Sequence, residues 1–185
     1  MDYYISDTHF GHEAIIRFCD RPFASVAEMD RVLIESWNAR VGEDDDVWVL
    51  GDVVFDRDGY PARYLKKLNG RKHLLIGNHD EAYALQVDPA TGQTPFGSYF
   101  ESIDYALRRT DEKGRKLWMA HYPLMEGPRD TWVLYGHIHN HRDQGYWDVL
   151  RNMDRALNCS AEVNGYMPVT FEELVANNER WRSEI

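Results

Sequence analysis

Leu74-Leu75-Ile76-Gly77-Asn78-His79-Asp80 is the stretch on which the fold turns. A short apolar run of strand length stops at a glycine, and three polar side chains follow at once. Such a run reads as a buried strand, and Gly77 is read as the residue that allows a tight turn where a side chain would clash. The polar residues then sit at a strand's carboxyl end, the edge of an open α/β sheet where ligands bind. Asn78 offers a neutral carbonyl oxygen to a cation, and His79 an imidazole that can be a ligand or a proton donor.

The same pattern recurs four times. Upstream, Tyr3-Tyr4-Ile5 runs into Ser6-Asp7-Thr8-His9, with His12 close behind, and Val47-Trp48-Val49-Leu50 ends at Gly51-Asp52. Downstream, Leu117-Trp118-Met119-Ala120 ends at His121, and Trp132-Val133-Leu134-Tyr135 ends at Gly136-His137-Ile138-His139. On an extended segment, residues two apart project to the same side, so Asp7 pairs with His9 and His137 with His139. His12 is either a further member of this cluster or a loop histidine.

Between these runs the pattern is helical. Ser25 with Glu28 forms a capping-box signature, followed by Met29, Leu33, Trp37 and Val41 as a core-facing stripe; Thr170 with Glu173 opens a second such helix near the end. Ile103 to Arg109 and Lys116 to Tyr122 read as two strands of a hairpin around Asp111-Glu112-Lys113-Gly114. A final strand is predicted around Ala156 to Ser160. Residues 87–98, rich in Pro, Gly and Thr, read as a surface loop able to cover the site.

Composition bounds the alternatives. The 185 residues are 43% hydrophobic, suited to one domain spanning 1–185, and no apolar run nears the roughly 20 residues of a membrane span. Two cysteines are too few for a disulfide framework, so Cys19 and Cys159 read as packed, reduced thiols. The acidic start and the early polar cluster argue against a secretory signal and for the cytoplasm. A formal net charge of -10 argues against extended nucleic-acid binding. Arg21, Arg57, Arg108, Arg109, Arg129 and Arg142 are scattered through predicted loops, where most arginines are solvated.

Taken in order, Asp-x-His, Gly-Asp, Gly-Asn-His-Asp, His and Gly-His-x-His resemble the calcineurin-like metallophosphoesterases over residues 7 to 139. The resemblance implies a four-layer α/β/β/α sandwich with a dinuclear metal centre at the strand ends. Asp7, His9 and His139 would hold one divalent ion, Asn78, His121 and His137 the other, and Asp52 would bridge them. His79 would stay free of metal, bind the phosphate and protonate the leaving oxygen after attack by a metal-bridging hydroxide. Manganese or iron is favoured by family habit; histidine and oxygen ligands also suit Ni, Co or Zn. The related protein phosphatases carry Gly-Asp, two residues, then Asp-Arg-Gly. This chain has three residues before Asp56-Arg57-Asp58-Gly59, so Asp56 and Arg57 carry over weakly as groups near phosphate.

The chain's small size and Asp80 also resemble small bacterial and phage phosphoesterases, which points to a small phosphate diester as substrate. A phosphomonoesterase or metal-dependent nuclease of the same fold, and a non-catalytic scaffold, are the alternatives. A closed structural zinc site needs four ligands, fewer than the seven on offer.

Overall fold

Every apolar run becomes a strand of three to five residues, and the strands sort into two four-stranded sheets. The computed structural model describes residues 1–55, 60–125 and 128–183. Its first sheet is entirely parallel, in the order β1 (Asp2–Ile5), β2 (Asp46–Val49), β3 (Arg71–Leu75) and β4 (Ser102–Asp104). The second runs β5 (Ala106–Thr110), β6 (Lys116–Ala120), β7 (Thr131–Tyr135) and β8 (Ala156–Asn158). Here β5 and β6 form an antiparallel hairpin and the remaining pairs are parallel.

Alternation along each strand builds the layers. Tyr3, Ile5, Val47, Val49, Leu74 and Ile76 face outward into a core covered by helices α1 (Glu13–Phe18), α2 (Val26–Asn38), α3 (Ala62–Leu65) and α4 (Glu81–Leu85). Tyr4, Trp48, Leu50 and Leu75 face the other way, onto Leu117, Met119, Leu134 and Leu157 of the second sheet. Val133, Tyr135 and Ala156 lie beneath α5 (Trp147–Leu150) and α6 (Phe171–Ser183), through Trp147, Leu150 and Trp181. The four-layer α/β/β/α sandwich follows. The central runs are apolar without a break because both faces of those strands are covered.

Both caps form. The Ser25 side chain accepts from Glu28 N–H at 3.2 Å, while the Glu28 carboxylate reaches back to Ala24 N–H, one residue earlier than in the usual box. Thr170 and Glu173 form the reciprocal pair at α6, with Glu173 accepting from Thr170 N–H at 2.9 Å. Met29, Leu33 and Trp37 are buried on α2. Val41 is also buried, but beyond the helix end at Asn38. Both cysteines are free and buried.

Two expectations change. The strand predicted over 103–109 breaks at the exposed Tyr105 into β4 and β5, which belong to different sheets. Ile103 packs with the first outer core, whereas Leu107 packs between the sheets, so one flat strand could not serve both. Residues 87–98 do form a loop, but Phe96 anchors it in the first core, stacked on Tyr83 at 5.2 Å. The single turn of α5 carries no sequence signature of its own.

Arg182 and Asn178 both tie α6 to the second sheet, Arg182 by donating to the Ala156 carbonyl of β8. The fully buried Asn178 accepts from Asn158 N–H at 2.7 Å and donates to the carbonyls of Asn158 and Leu174 at 3.0 and 2.9 Å. Asn178→Ala takes this acceptor from the buried Asn158 N–H, while the Asn158 carbonyl keeps Asn164 as a donor at 3.0 Å, and the change is expected to cost about 2 kcal/mol. The check is the urea midpoint, which drops at unchanged slope; an unmoved midpoint contradicts this role.

Candidate metal centre

Parallel pairing brings the carboxyl ends of β1, β2, β3, β6 and β7 to one edge of the sandwich, and each delivers its polar residues there. The local backbone is not extended. Asp7, His9, Asp52, His137 and His139 have φ of 55°, 50°, 54°, 70° and 50°. Asp7 meets His9, and His137 meets His139, through left-handed turns rather than through alternation along a strand. Such conformations cost non-glycine residues on the order of 1 kcal/mol or more each and persist where neighbours hold them. Here Asp7 N–H bonds Gly51 O at 2.9 Å, His9 N–H bonds Asp52 O at 3.0 Å, and the Asp7 carboxylate accepts from His137 N–H at 3.0 Å.

The recurring glycines have a steric reason. A Cβ on Gly51 would lie 2.5 Å from His121 Nδ1, and one on Gly136 would lie 2.6 Å from Asp7 Oδ2. Gly77 does not adopt a left-handed φ, so it is not needed for a tight turn. A Cβ there would strike Asp52, at Oδ1 and at 2.6 Å from its main-chain N. The strand ends approach this closely only where side chains are missing.

Buried carboxylates hold the ends together. Asp80 accepts from the N–H groups of Asp52, Val53 and Gly77 at 2.7, 3.0 and 2.9 Å. Asp7 Oδ2 accepts from the hydroxyls of Ser6 and Ser160 at 2.6 and 2.9 Å. His121 Nδ1 lies 2.7 Å from Leu50 O, which makes Nδ1 the donor and leaves Nε2 free to accept.

Among the described residues the donor atoms form four overlapping groups, one of them Cys19, His139 and Glu162, and two hold the predicted ligands. Asp7, His9 and His139 can each direct one ligand atom within 4.8 Å of the others, and so can Asp52, His121 and His137. Asp52 Oδ2 lies between them, 3.5 Å from His9 Nε2 and 3.5 Å from His121 Nε2. Asn78 Oδ1 joins the second group, 3.1 Å from His121 Nε2 and 3.0 Å from His137 Nδ1. His9 Nε2 is buried with no hydrogen-bond partner, an orphan that a cation would satisfy. The nitrogen and oxygen donor set fits divalent transition metals.

The calcineurin-like phosphoesterase family matches residues 3–179. The chain belongs to that family. An uncharacterized protein of Methanocaldococcus jannaschii is 35% identical over 178 residues, covering 94% of this chain and 88% of its own. The Gene 66 protein of Mycobacterium phage L5 is 31% identical over 161 residues, covering 75% of this chain and 77% of its own. A protein of unknown function from Aquifex aeolicus shares the fold, with a TM-score of 0.69 at 24% identity over 94% of this chain and 96% of that one.

In this family member, His79 stands at the rim, its side chain one-third exposed and its Nε2 3.9 Å from Asp52 Oδ2. Its ligand atoms also fall within reach of His9 and Asp52, so geometry alone permits either ligation or proton donation. His12 packs beside His9, with Nδ1 atoms 3.2 Å apart, but belongs to none of the candidate ligand groups among the described residues. Asp56 and Arg57 lie outside the described residues. Residues 87–98 are absent from the lining of the cleft beside His9 and His139.

Electrostatics favour a bound cation. Burial pushes the Asp52 carboxyl up to about 7, against the pull of His121. Burial and the neighbouring histidines lower His9, His79 and His137, keeping their rings neutral and able to ligate. His139 goes the other way. Burial opposes its charging, yet Asp7, Cys19 and Glu162 raise it to about 11, the mark of a position that wants positive charge.

Sequence reading missed the group behind His139. Arg21, expected as a solvated loop arginine, is buried, and it donates to Glu162 at 2.9 and 2.7 Å and to the carbonyls of Thr8 and Asp7 at 2.9 and 2.6 Å. Glu162 Oε1 also lies 3.0 Å from His139 Nδ1, which orients that ring with Nε2 toward Asp7. No spacing could have revealed a pair separated by 141 residues.

Burial raises the Glu162 carboxyl, but Arg21 and His139 outweigh it and hold it at about 2. The stabilisation it brings is therefore present above its ordinary 4.5 and lost as pH falls toward 2. Glu162→Gln leaves Arg21 buried without a counter-charge and is expected to cost about 3 kcal/mol near neutral pH while flattening the acid limb of stability. Cation affinity measured by calorimetry is expected to fall roughly 10- to 100-fold. Unchanged affinity would deny Glu162 an orienting role.

Proposed function

We propose that this chain is a dinuclear metal-dependent phosphodiesterase acting on small phosphate diesters, with residues 1–185 folding as one domain. The observation that carries the reading is Asp52 Oδ2, equidistant at 3.5 Å from a nitrogen of each of the two groups that hold the predicted ligands. Asp7, His9 and His139 would hold one divalent cation, Asn78, His121 and His137 the other, with Asp52 between. Manganese or iron is the favoured metal. Bound there, the two ions would supply Lewis acidity at the phosphoryl oxygens and lower the pKa of a water between them.

The protein's own groups do the remaining work. Asp7 and Asp52 are the only carboxylates in the proposed ligand set, so two divalent ions leave the centre positive and suited to an anionic ester. His79 is the proton donor to the leaving oxygen. Its main-chain N–H is fixed on Asp52 Oδ1 at 2.9 Å, and Phe55 meets its ring edge-on at 4.9 Å. A phosphate oxygen brought near that ring would raise its lowered pKa, so binding prepares the acid.

The diester preference draws on the resemblance to small phosphoesterases. A nuclease reading finds little support: Arg21 is committed to Glu162 and Arg109 pairs with Asp2 at 3.0 Å.

His79→Ala is expected to keep its metal content while turnover falls roughly 10² to 10⁴-fold. Loss of metal from that variant would make His79 a ligand. Asp52→Asn is expected to lose one or both ions, read by elemental analysis. With Mn²⁺ restored to stripped protein, bis-p-nitrophenyl phosphate is expected to be hydrolysed faster than p-nitrophenyl phosphate; brisk monoester turnover with an inert diester would overturn the preference.

A further inference from the structure

Beside His9 and His139 opens a cleft of about 590 Å³. Its outer wall is made by Ile15 and Phe18 of α1 and by Phe55, just past Asp52, with His12 against them. Of the chain's seven phenylalanines, only Phe18 and Phe55 are exposed, at 63% and 37%, and both line this one cleft. Burying a phenylalanine ring stabilises a fold by about 1.5–3 kcal/mol, so leaving two uncovered at one place forgoes that gain unless something else covers them.

The wall is a cluster of aromatic rings in contact with one another. Phe55 lies 4.1 Å from His12, centroid to centroid, with a tilt of only 32°, and Phe18 stands edge-on to His12 at 6.4 Å. Planar rings pack on such surfaces by offset or edge-to-face contact, which a saturated group cannot match. Among the described residues that line it there is no carboxylate, although the whole chain carries -10. Phe55 also touches His79, whose Nε2 is 3.9 Å from Asp52. A ring seated on Phe55 would thus lie one side chain away from the candidate metal centre.

Resting on the phosphoesterase reading, we propose that Phe18 and Phe55 form a specificity subsite for a planar aromatic ring, a nucleobase or an aryl group, carried by the phosphoester. The wall continues directly from His79, so the ring belongs on the ester's leaving side.

The test is binding, so that hydrolysis need not succeed. Protein loaded with Mn²⁺ is titrated with phenylphosphonate against methylphosphonate, and with adenosine 5′-monophosphate against ribose 5-phosphate. Ring stacking of the usual strength predicts a preference of roughly tenfold or more for the ring-bearing member of a pair. That ratio is expected to fall toward one in Phe18→Ala and in Phe55→Ala; Phe18, at the exposed end of α1, can be truncated without opening the core. Preference in the nucleotide pair identifies a nucleobase, and preference in the phosphonate pair alone an aryl group. Equal affinity within both pairs, or a ratio untouched by either variant, overturns the subsite and leaves the phosphoesterase reading standing. Absence of all phosphonate and phosphate binding overturns both.

Discussion

The Asp80 carboxylate accepts three main-chain N–H groups from two different strand ends, and the rest of the site is placed by that contact. Burial pushes its carboxyl up while the three donors hold it down. Because two donors belong to Asp52 and Val53 and the third to Gly77, the ends of β2 and β3 cannot separate without stranding them. Asp52 is thereby fixed between two histidine groups. Gly51 and Gly77 make this approach sterically open, and the Asp80 bonds make it favourable.

A second buried carboxylate does the same across the sandwich. Asp7, from the first sheet, receives Ser160 and the His137 N–H from the second. Behind it, Arg21 balances Glu162, and Glu162 aims His139. The result is a site in which most donor side chains have one atom committed to the scaffold and another directed inward. That is the arrangement by which a protein fixes ligand geometry before a cation arrives.

Much of this was legible in the sequence. The apolar runs, the glycine that ends three of them and the polar residue that follows gave the strand ends their contents, because a buried strand and a close approach each demand particular residue types. The capping pairs at Ser25 and Thr170 were readable for the same local reason. What stayed hidden depends on distant partners. Nothing near Tyr105 says that the chain leaves one sheet for the other, since alternation names a face and not a sheet. The left-handed turns at Asp7, His9, His137 and His139 fall on residue types that tolerate them better than most, yet Asp and His occur far more often elsewhere, so surrounding hydrogen bonds and not the sequence mark these positions. Arg21 looked like surface charge because its counter-charge, Glu162, lies near the other end of the chain.

The bond between Asp7 and Ser160 spans 153 residues. Closing so long a loop carries an entropic cost, one that grows only slowly with length, and non-local contacts of this kind slow folding as a whole. During synthesis, the strand ends carrying Asp52, Asn78 and His79 emerge well before the residues that anchor Asp7. A partly made chain holds scattered histidines but no cage. The anchoring of Asp7 is complete only once the segment after β8 has joined the fold.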